Sequence, residues 1–475
     1  MSEVRTRFAP SPTGYIHVGG IRTALFAWLT ARQAQGQFVL RLEDTDRERE
    51  VTGAAQHIVD SLHALGLDYD EGPGIGGPYG PYVQSERLDI YRSWAEKLVA
   101  SGRAYVDPYR TEEVQAFREQ AKINKQPFLF RNHRPNQSFV WNGQQPLRFK
   151  SDPKDYQWHD IVMGDLKSSP EVIDDFVLMK ADGFPTYNFA HIVDDYEMHI
   201  THVMRGQEFL ASVPKYLNLY EAFGIQPPQF ATLPHILATE GNRKLSKRDG
   251  AKDILDYVRQ GFLPDALISF IATLGWNDGS EQEIFSRTEL INKFSLGKVQ
   301  RSGAHFDERR LIWVNGTYIR QQSLPKLKEA VQNYWPKEAT SYPDDYKEKV
   351  LGLVQERLKY LAELSDLSIF FFVDIPPDRS LIDNNKQLRE LSDEELKQLL
   401  NAARDMLIES NFTVDDLNQR LNTLLDQLSQ PPAILFSLIR IAATSVSASP
   451  GLADTLSVLG RERTLNRLNT WLNIL

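Results

Sequence analysis

Phe8-Ala9-Pro10-Ser11-Pro12-Thr13-Gly14-Tyr15-Ile16-His17-Val18-Gly19-Gly20 decides how the front of this chain folds. Before it, Val4–Ala9 alternates apolar and basic residues, the pattern of a strand. Inside it, Pro10, Pro12 and Gly14 punctuate a loop. After it, Ile21, Leu25, Trp28 and Leu29 recur at helical spacing from about Gly20 to Arg32. Phe38-Val39-Leu40-Arg41-Leu42 reads as a second strand, ending at Glu43-Asp44-Thr45-Asp46. Strand, loop, helix, strand is the opening of a parallel nucleotide-binding sheet, so an α/β front is expected.

Further along, Gly72–Pro81 is rich in Gly and Pro and marks a boundary. Residues from about 86 to 185 lose the strand–helix alternation and read as a separate insertion. Asp174–Lys180, Pro185-Thr186-Tyr187 and His199–Met204 read as a return to the sheet, with Phe230–Leu237 as one more strand. Beyond Gly250 the pattern is helical. Val350, Leu351, Val354, Leu358 and Leu361 form one stripe over Lys349–Ser365. Ser392-Asp393-Glu394-Glu395 has the capping-box form, Pro431-Pro432 opens another helix, and Leu465, Leu468 and Leu472 mark the last.

A chain of 475 residues holds several domains. No apolar stretch approaches the roughly 20 residues that cross a bilayer, and Met1-Ser2-Glu3 does not begin a secretory leader, so no membrane partner and a cytoplasmic location are expected. With no cysteine, disulfides, thiolate catalysis and thiolate zinc sites are excluded. The net charge of −9 argues against indiscriminate nucleic-acid binding. From Gln321 to Leu475 there are 17 Lys and Arg against 22 Asp and Glu, so any RNA contact there must be specific in shape and base.

A second segment, Lys244-Leu245-Ser246-Lys247-Arg248, lies about 230 residues beyond the first. With Arg243 it places cations between Gly241 and Gly250 that suit a triphosphate. The first segment suits the same ligand. A helix N-terminus offers unpaired N–H groups and a positive dipole end. Gly19 and Gly20 leave room for an adenine or ribose against the backbone, and His17 and Thr13 offer donors. The plain alternatives are a solvated charge run for the second segment and a capping His17 for the first.

Taken together, the two segments resemble the paired signatures of the class I aminoacyl-tRNA synthetases, and their wording is most similar to the glutamate-specific bacterial members. Arg41-Leu42-Glu43-Asp44-Thr45-Asp46-Arg47, Pro185-Thr186-Tyr187-Asn188-Phe189-Ala190 before Val193-Asp194-Asp195, and Arg205-Gly206-Gln207-Glu208-Phe209 follow in family order. The resemblance implies a Rossmann-type α/β domain over 1–80 and 186–240. It implies an α+β insertion over 81–185 for the acceptor end of tRNA, with Lys122, Lys125, Arg131, Arg134 and Lys150 as backbone contacts. A helical stem-contact domain over 241–321 and two all-α anticodon-binding domains over 322–375 and 376–475 would follow.

The implied activity is ATP-dependent ligation of L-glutamate to tRNA(Glu) through a glutamyl adenylate, in protein synthesis, by a monomer. Magnesium would ride on the ATP phosphates. His17, Lys244 and Lys247 would be catalytic. Thr13, His17, Gly19, Gly20, Glu208, Leu237, Lys244, Ser246, Lys247 and Arg248 would bind ATP. Arg7 and Arg205 would pair with the two glutamate carboxylates, Glu43 would take the ammonium, Tyr187 would hydrogen-bond a carboxylate, and Ala9 and Ser11 would line the pocket. The plain alternatives are a salt bridge from Glu43 to Arg41 or Arg47 and a strand-surface cation at Arg7.

Three departures stand out. His17-Val18-Gly19-Gly20 lacks the second His of the general signature. His191 stands where some relatives carry Asn. The stretch Ala104–Tyr109, with Asn132-His133 further on, lacks the cysteines with which many relatives hold zinc, so no zinc is expected. The glutamine-specific branch differs in the Pro-Ser-Pro-Thr-Gly lead-in and has a β-barrel anticodon module. A truncated relative that modifies a tRNA base has no such module, and an RNA-free nucleotidyltransferase needs neither the insertion nor the tail. Whether glutamine tRNA is charged as well turns on contacts in the helical rear that no motif fixes.

Overall fold

The structure is a computed structural model that describes residues 3–245 and 252–475. Two compact units are present, Met1–Arg259 with Pro264–Glu308, and Gln260–Leu263 with Arg309–Leu475.

The first unit is organised by a six-stranded sheet. Its opening is strand β1 (Arg5–Phe8), a helix Val18–Gln33, and strand β2 (Gln37–Leu40), which pairs parallel with β1 from Arg5↔Gln37 to Phe8↔Leu40. The helix is buried on one face through Ile21, Ala24, Leu25, Trp28 and Leu29 and on others through Phe26 and Ala27. Strands β3 (Ala104–Val106), β4 (Leu147–Phe149), β5 (Tyr156–Asp160), β6 (Gly164–Ser168) and β7 (Val177–Met179) follow. After them come β8 (His202–Gly206), β9 (Gln229–Leu233), β10 (Ile236–Leu237) and β11 (Ala304–His305).

The large sheet has the order β2-β1-β8-β9-β5-β6. All neighbours are parallel except the hairpin β5–β6. β1 runs to β2 on one side and meets β8 on the other. A crevice at the carboxyl ends of these strands is where α/β sheets of this kind bind ligands.

Residues 81–185 contribute to two sheets. β3, β4 and β7 form a separate antiparallel sheet, whereas β5 and β6 extend the large one through Asp160↔Phe230. Asp160 secures that junction, its carboxylate accepting from the N–H and hydroxyl of Thr232. Val177–Met179, read from sequence as a return to the main sheet, belongs to the smaller one. Thr186 then leads into the helix Tyr187–Glu197.

The stretch read as one strand over Phe230–Leu237 is split. Pro234 has no N–H to give to a ladder. Its carbonyl instead accepts from the guanidinium of Arg22, and β10 pairs with β11.

The second unit is helical and shares one hydrophobic core running from Ile319 to Leu475. Ser392 caps the helix Asp393–Ile408 in a true capping box with Glu395. Pro432–Thr444 and Arg461–Leu472 are helices as the pattern predicts. The stripe over Lys349–Ser365 is two helices, Asp344–Val354 and Glu363–Phe372. Between them, side-chain bonds replace helical ones. Gln355 donates to the carbonyls of Ile319 and Gln322, and Asn315 donates to that of Lys359 at 2.6 Å. No helix among the described residues is long and apolar enough to cross a membrane.

Candidate active site

A cleft of about 310 Å³ opens beyond the carboxyl ends of β1, β8 and β9. Its first wall is the turn into the helix Val18–Gln33. Nδ1 of His17 accepts from the N–H of Gly19 at 3.0 Å, which makes His17 the N-cap and leaves the proton of a neutral ring on Nε2. The two glycines here have reasons inside the protein. A Cβ on Gly19 would lie 2.9 Å from Cε1 of His17, and one on Gly20 would lie 2.8 Å from Cγ1 of Ile16. Arg22 and Thr23 complete this wall.

The floor holds the ionic groups. Arg7, at the end of β1, donates through Nε to Oδ1 of Asp195 at 3.0 Å and through Nη1 to the Met204 carbonyl at 3.0 Å. Arg41 bridges Oδ1 of Asp195 at 2.9 Å and Oε1 of Glu43 at 2.8 Å. The Glu43–Arg41 salt bridge, the plain alternative for Glu43, is therefore real, and Glu43 lines the cleft as well. Burial lifts the Glu43 carboxyl above its ordinary range, with Arg41 pulling the other way. Burial would lift Asp195 too, but Arg7 and Arg41 outweigh it and hold Asp195 well below the usual range.

Arg205, near the end of β8, is different. It is 6% exposed, and none of its three guanidinium nitrogens has a hydrogen-bond partner. Aromatic rings surround it, with Tyr216 at 5.2 Å and Phe209 and Phe230 each at 5.9 Å. Burial works against its charge; its pKa is raised by Tyr187, Tyr216 and Asp195, but of these only Asp195 is ionised near neutral pH, so the desolvation there is largely uncompensated. A buried cation left in this state costs several kcal/mol until an anion arrives. Tyr187 lies beside it, its ring packed on Phe209 at 5.3 Å, and burial raises its hydroxyl pKa.

The far wall carries Glu208, His235 and Lys244. Lys244 reaches it because Leu245 returns its N–H to the Ile236 carbonyl and Ala238 gives its own to Arg243. Nζ of Lys244 is 3.0 Å from Oε1 of Glu208, and Nδ1 of His235 is 3.7 Å from Oε2. Partial burial opposes ionisation of Glu208, but its backbone contact and Lys244 hold its pKa below the ordinary value.

Of the residues singled out from sequence, Arg7, Ala9, Ser11, His17, Gly19, Gly20, Glu43, Tyr187, Arg205, Glu208 and Lys244 line this one cleft. Thr13 and Leu237 do not. Leu237 packs where a Cβ on Gly303 would touch its side chain at 2.8 Å, and the neighbouring Ile236 and His235 face the cleft instead. Ser246, Lys247 and Arg248 lie outside the described residues. Sequence reading missed Arg22, Phe209 and His235. Arg22 was the one with a signal, a cation shortly before the apolar run Ala24–Leu29 of its helix. It is 4% exposed, donates to the Leu274 and Pro234 carbonyls, and burial lowers its pKa to about 10.

Residues 3–313 match the family described as tRNA synthetases class I (E and Q), catalytic domain, and residues 326–472 match the anticodon binding domain. A glutamate–tRNA ligase of Dehalococcoides mccartyi is 42% identical, over 98% of this chain and 96% of that one. One from Clostridium botulinum is 39% identical, over 99% and 98%. The crystal structure of a glutamate tRNA ligase from Elizabethkingia meningosepticum, in complex with its amino acid, superposes with a TM-score of 0.87 at 32% identity, covering 99% of both chains. This chain, with a buried cation at the mouth of its parallel sheet and a capped His17 turn beside it, belongs to the class I tRNA synthetases of the E and Q type.

Proposed function

We propose that the protein ligates L-glutamate to the 3′ end of tRNA(Glu) at the expense of ATP, through a glutamyl adenylate, with release of AMP and diphosphate. The observation that carries this reading is Arg205, a buried guanidinium with no partner, facing a cleft that also holds Arg7 and Glu43. An amino acid with two carboxylates and one ammonium matches two cations and one anion.

Arg205 and Arg7 receive the carboxylates, Glu43 receives the ammonium, and Tyr187, Ala9 and Ser11 complete the pocket. Glutamine is rejected because its neutral amide leaves a buried arginine unmatched, a loss of a few kcal/mol. ATP lies along the His17 turn, with Nε2–H of His17 donating to a phosphate oxygen and Lys244 stabilising charge that builds there. The α-carboxylate attacks the α-phosphorus and expels diphosphate, and a ribose hydroxyl of tRNA then attacks the adenylate. No protein nucleophile is needed; the protein positions and stabilises. Magnesium enters on the phosphates. The insertion grips the acceptor end and the helical unit reads the anticodon by stacking and base-edge bonds. We further propose that the enzyme is a cytoplasmic monomer without zinc, the chain having no cysteine.

ATP–pyrophosphate exchange tests this with glutamate or glutamine, each with and without purified tRNA(Glu). Glutamate-dependent exchange that requires tRNA, followed by charging, is expected. Exchange with glutamine alone, or none with glutamate and tRNA, would overturn it.

A further inference from the structure

We propose that His191 is a positioning residue of the glutamate site, a reserve hydrogen-bond donor that takes over Asp195 when a substrate carboxylate draws Arg7 away. This rests on the reading that Arg7 receives such a carboxylate.

His191 lies on the helix Tyr187–Glu197, one turn before Asp195, and is 1% exposed. Neither of its ring nitrogens has a hydrogen-bond partner. A buried imidazole left so calls for an explanation, since buried polar groups are nearly always paired. Tyr187 packs against the ring at 4.9 Å and Tyr216 meets it edge-on at 4.6 Å, so the ring is held beside Asp195 with little room to swing elsewhere. Burial keeps it neutral, so it has one N–H to offer and no charge to shed.

Asp195 supplies the other half of the argument. Its Oδ1 accepts two good bonds, from Nε of Arg7 at 3.0 Å and Nη1 of Arg41 at 2.9 Å. Its Oδ2 accepts only a long one, from Nη2 of Arg7 at 3.5 Å. Nδ1 of His191 stands 3.8 Å from that oxygen, about 0.6 Å beyond the usual limit of an N–H···O bond.

Arg7 lines the cleft, whereas Asp195 and His191 do not. An anion in the cleft therefore competes with Asp195 for Nη2, the most weakly held end of the fork. When it wins, Oδ2 is left in a buried carboxylate with nothing on it. A small rotation of His191 then places its Nδ1–H on Oδ2. No proton passes between the ring and Asp195 and no net charge is moved; the ring's single proton is fixed on Nδ1. Arg7 turns to substrate without stranding Asp195, and part of the cost of binding glutamate is removed.

The hand-over predicts a change in His191 that a purely packing role would not produce. In the full-length protein labelled with 15N-histidine, the resonances lost in His191→Asn identify this ring. Adding glutamate with tRNA(Glu) to the unaltered protein is expected to shift it toward the tautomer protonated on Nδ1. A ring whose nitrogen shifts are the same with and without glutamate would overturn the proposal.

The steady-state test uses two substitutions. His191→Phe keeps the bulk and loses the donor, and its KM for glutamate is expected to rise about tenfold, the low end of what a bond to a charged group supplies. Its KM for ATP and its kcat are expected to move far less. His191→Asn can still donate to Asp195 and is expected to restore most of the glutamate KM. An unchanged glutamate KM in His191→Phe, or an equal defect in both variants, would overturn the proposal. Failure of the unaltered protein to activate glutamate would instead sink the function on which it rests.

Discussion

Nε2 of His57 lies 2.6 Å from Oδ2 of Asp253, and this pair holds two distant parts of the chain together. Asp253 also pairs its main chain, antiparallel, with that of His17. On its other side His57 stacks against Tyr15, with ring centroids 4.4 Å apart. The residue that caps the helix Val18–Gln33 is thus braced from 236 positions away. Asp253→Ala removes the carboxylate and leaves His57 in place. We expect a stability loss of about 1.5–3 kcal/mol, the range for hydrogen bonds to charged groups. We also expect a rise in the KM for ATP larger than that for glutamate. Urea unfolding and pyrophosphate exchange measure the two, and an unaltered ATP KM would show that the brace has no bearing on the phosphate side.

Gly19 owes its place to His17. Its missing Cβ is filled by the imidazole that accepts its N–H. Gly19→Ala should push the ring off its capping position, costing about 1 kcal/mol of stability as lost N-caps do. It should also cut adenylate formation at least tenfold, because the ring is no longer held where it lines the cleft. Gly14→Ala is the control, since no atom lies within 4 Å of a Cβ there. Equal activity in both variants would contradict the capping account.

Much of this was legible in the sequence, for physical reasons that can be located. The opening βαβ unit was clear because Val4–Ala9 and Phe38–Leu42 have strand patterns around a helix-period run, with Pro10, Pro12 and Gly14 between them. The last helices were clear because Ser392-Asp393-Glu394-Glu395 and Pro431-Pro432 are local start signals. What was hidden depends on distant partners. Asp195 lies 188 positions from Arg7, so no local pattern reveals that the Arg7 guanidinium is already shared. The break after Val354 is made by Asn315 and Gln355 reaching across the helical unit. The isolation of Arg205 is a statement about missing neighbours, which only the folded chain can make.

The buried state of His191 sets an acid limit on stability. Burial depresses its folded pKa from an ordinary 6.5 to about 3. Between those values the unfolded chain binds a proton at this residue that the folded chain does not. Stability therefore rises with pH across the window and falls as the solution is made more acidic, by up to about 1.4 kcal/mol per pH unit. Above pH 6.5 the contribution is flat. His191→Phe has no proton to take up there, so the difference in unfolding free energy between the two proteins should shrink or reverse from pH 6.5 toward pH 4. Parallel stability curves for the two would refute a neutral buried ring.

Arg205 allows a prediction of opposite signs. In the folded protein without substrate its guanidinium is buried among Tyr216, Phe209 and Phe230, with no hydrogen bond to any of its nitrogens. Replacing such a cation by an apolar side chain of similar length removes a desolvation penalty and removes no bond. Arg205→Met should therefore raise the unfolding free energy by about 1–3 kcal/mol, within the range seen when buried charges give way to hydrophobic residues. The same change removes the counter-ion for a glutamate carboxylate, so kcat/KM for glutamate in pyrophosphate exchange should fall at least a hundredfold. Arg205→Lys keeps a charge but not the fork, and should recover only a little of that loss. If Arg205→Met instead lowers the urea midpoint, the guanidinium is satisfied in the free protein and is not held in wait for an anion.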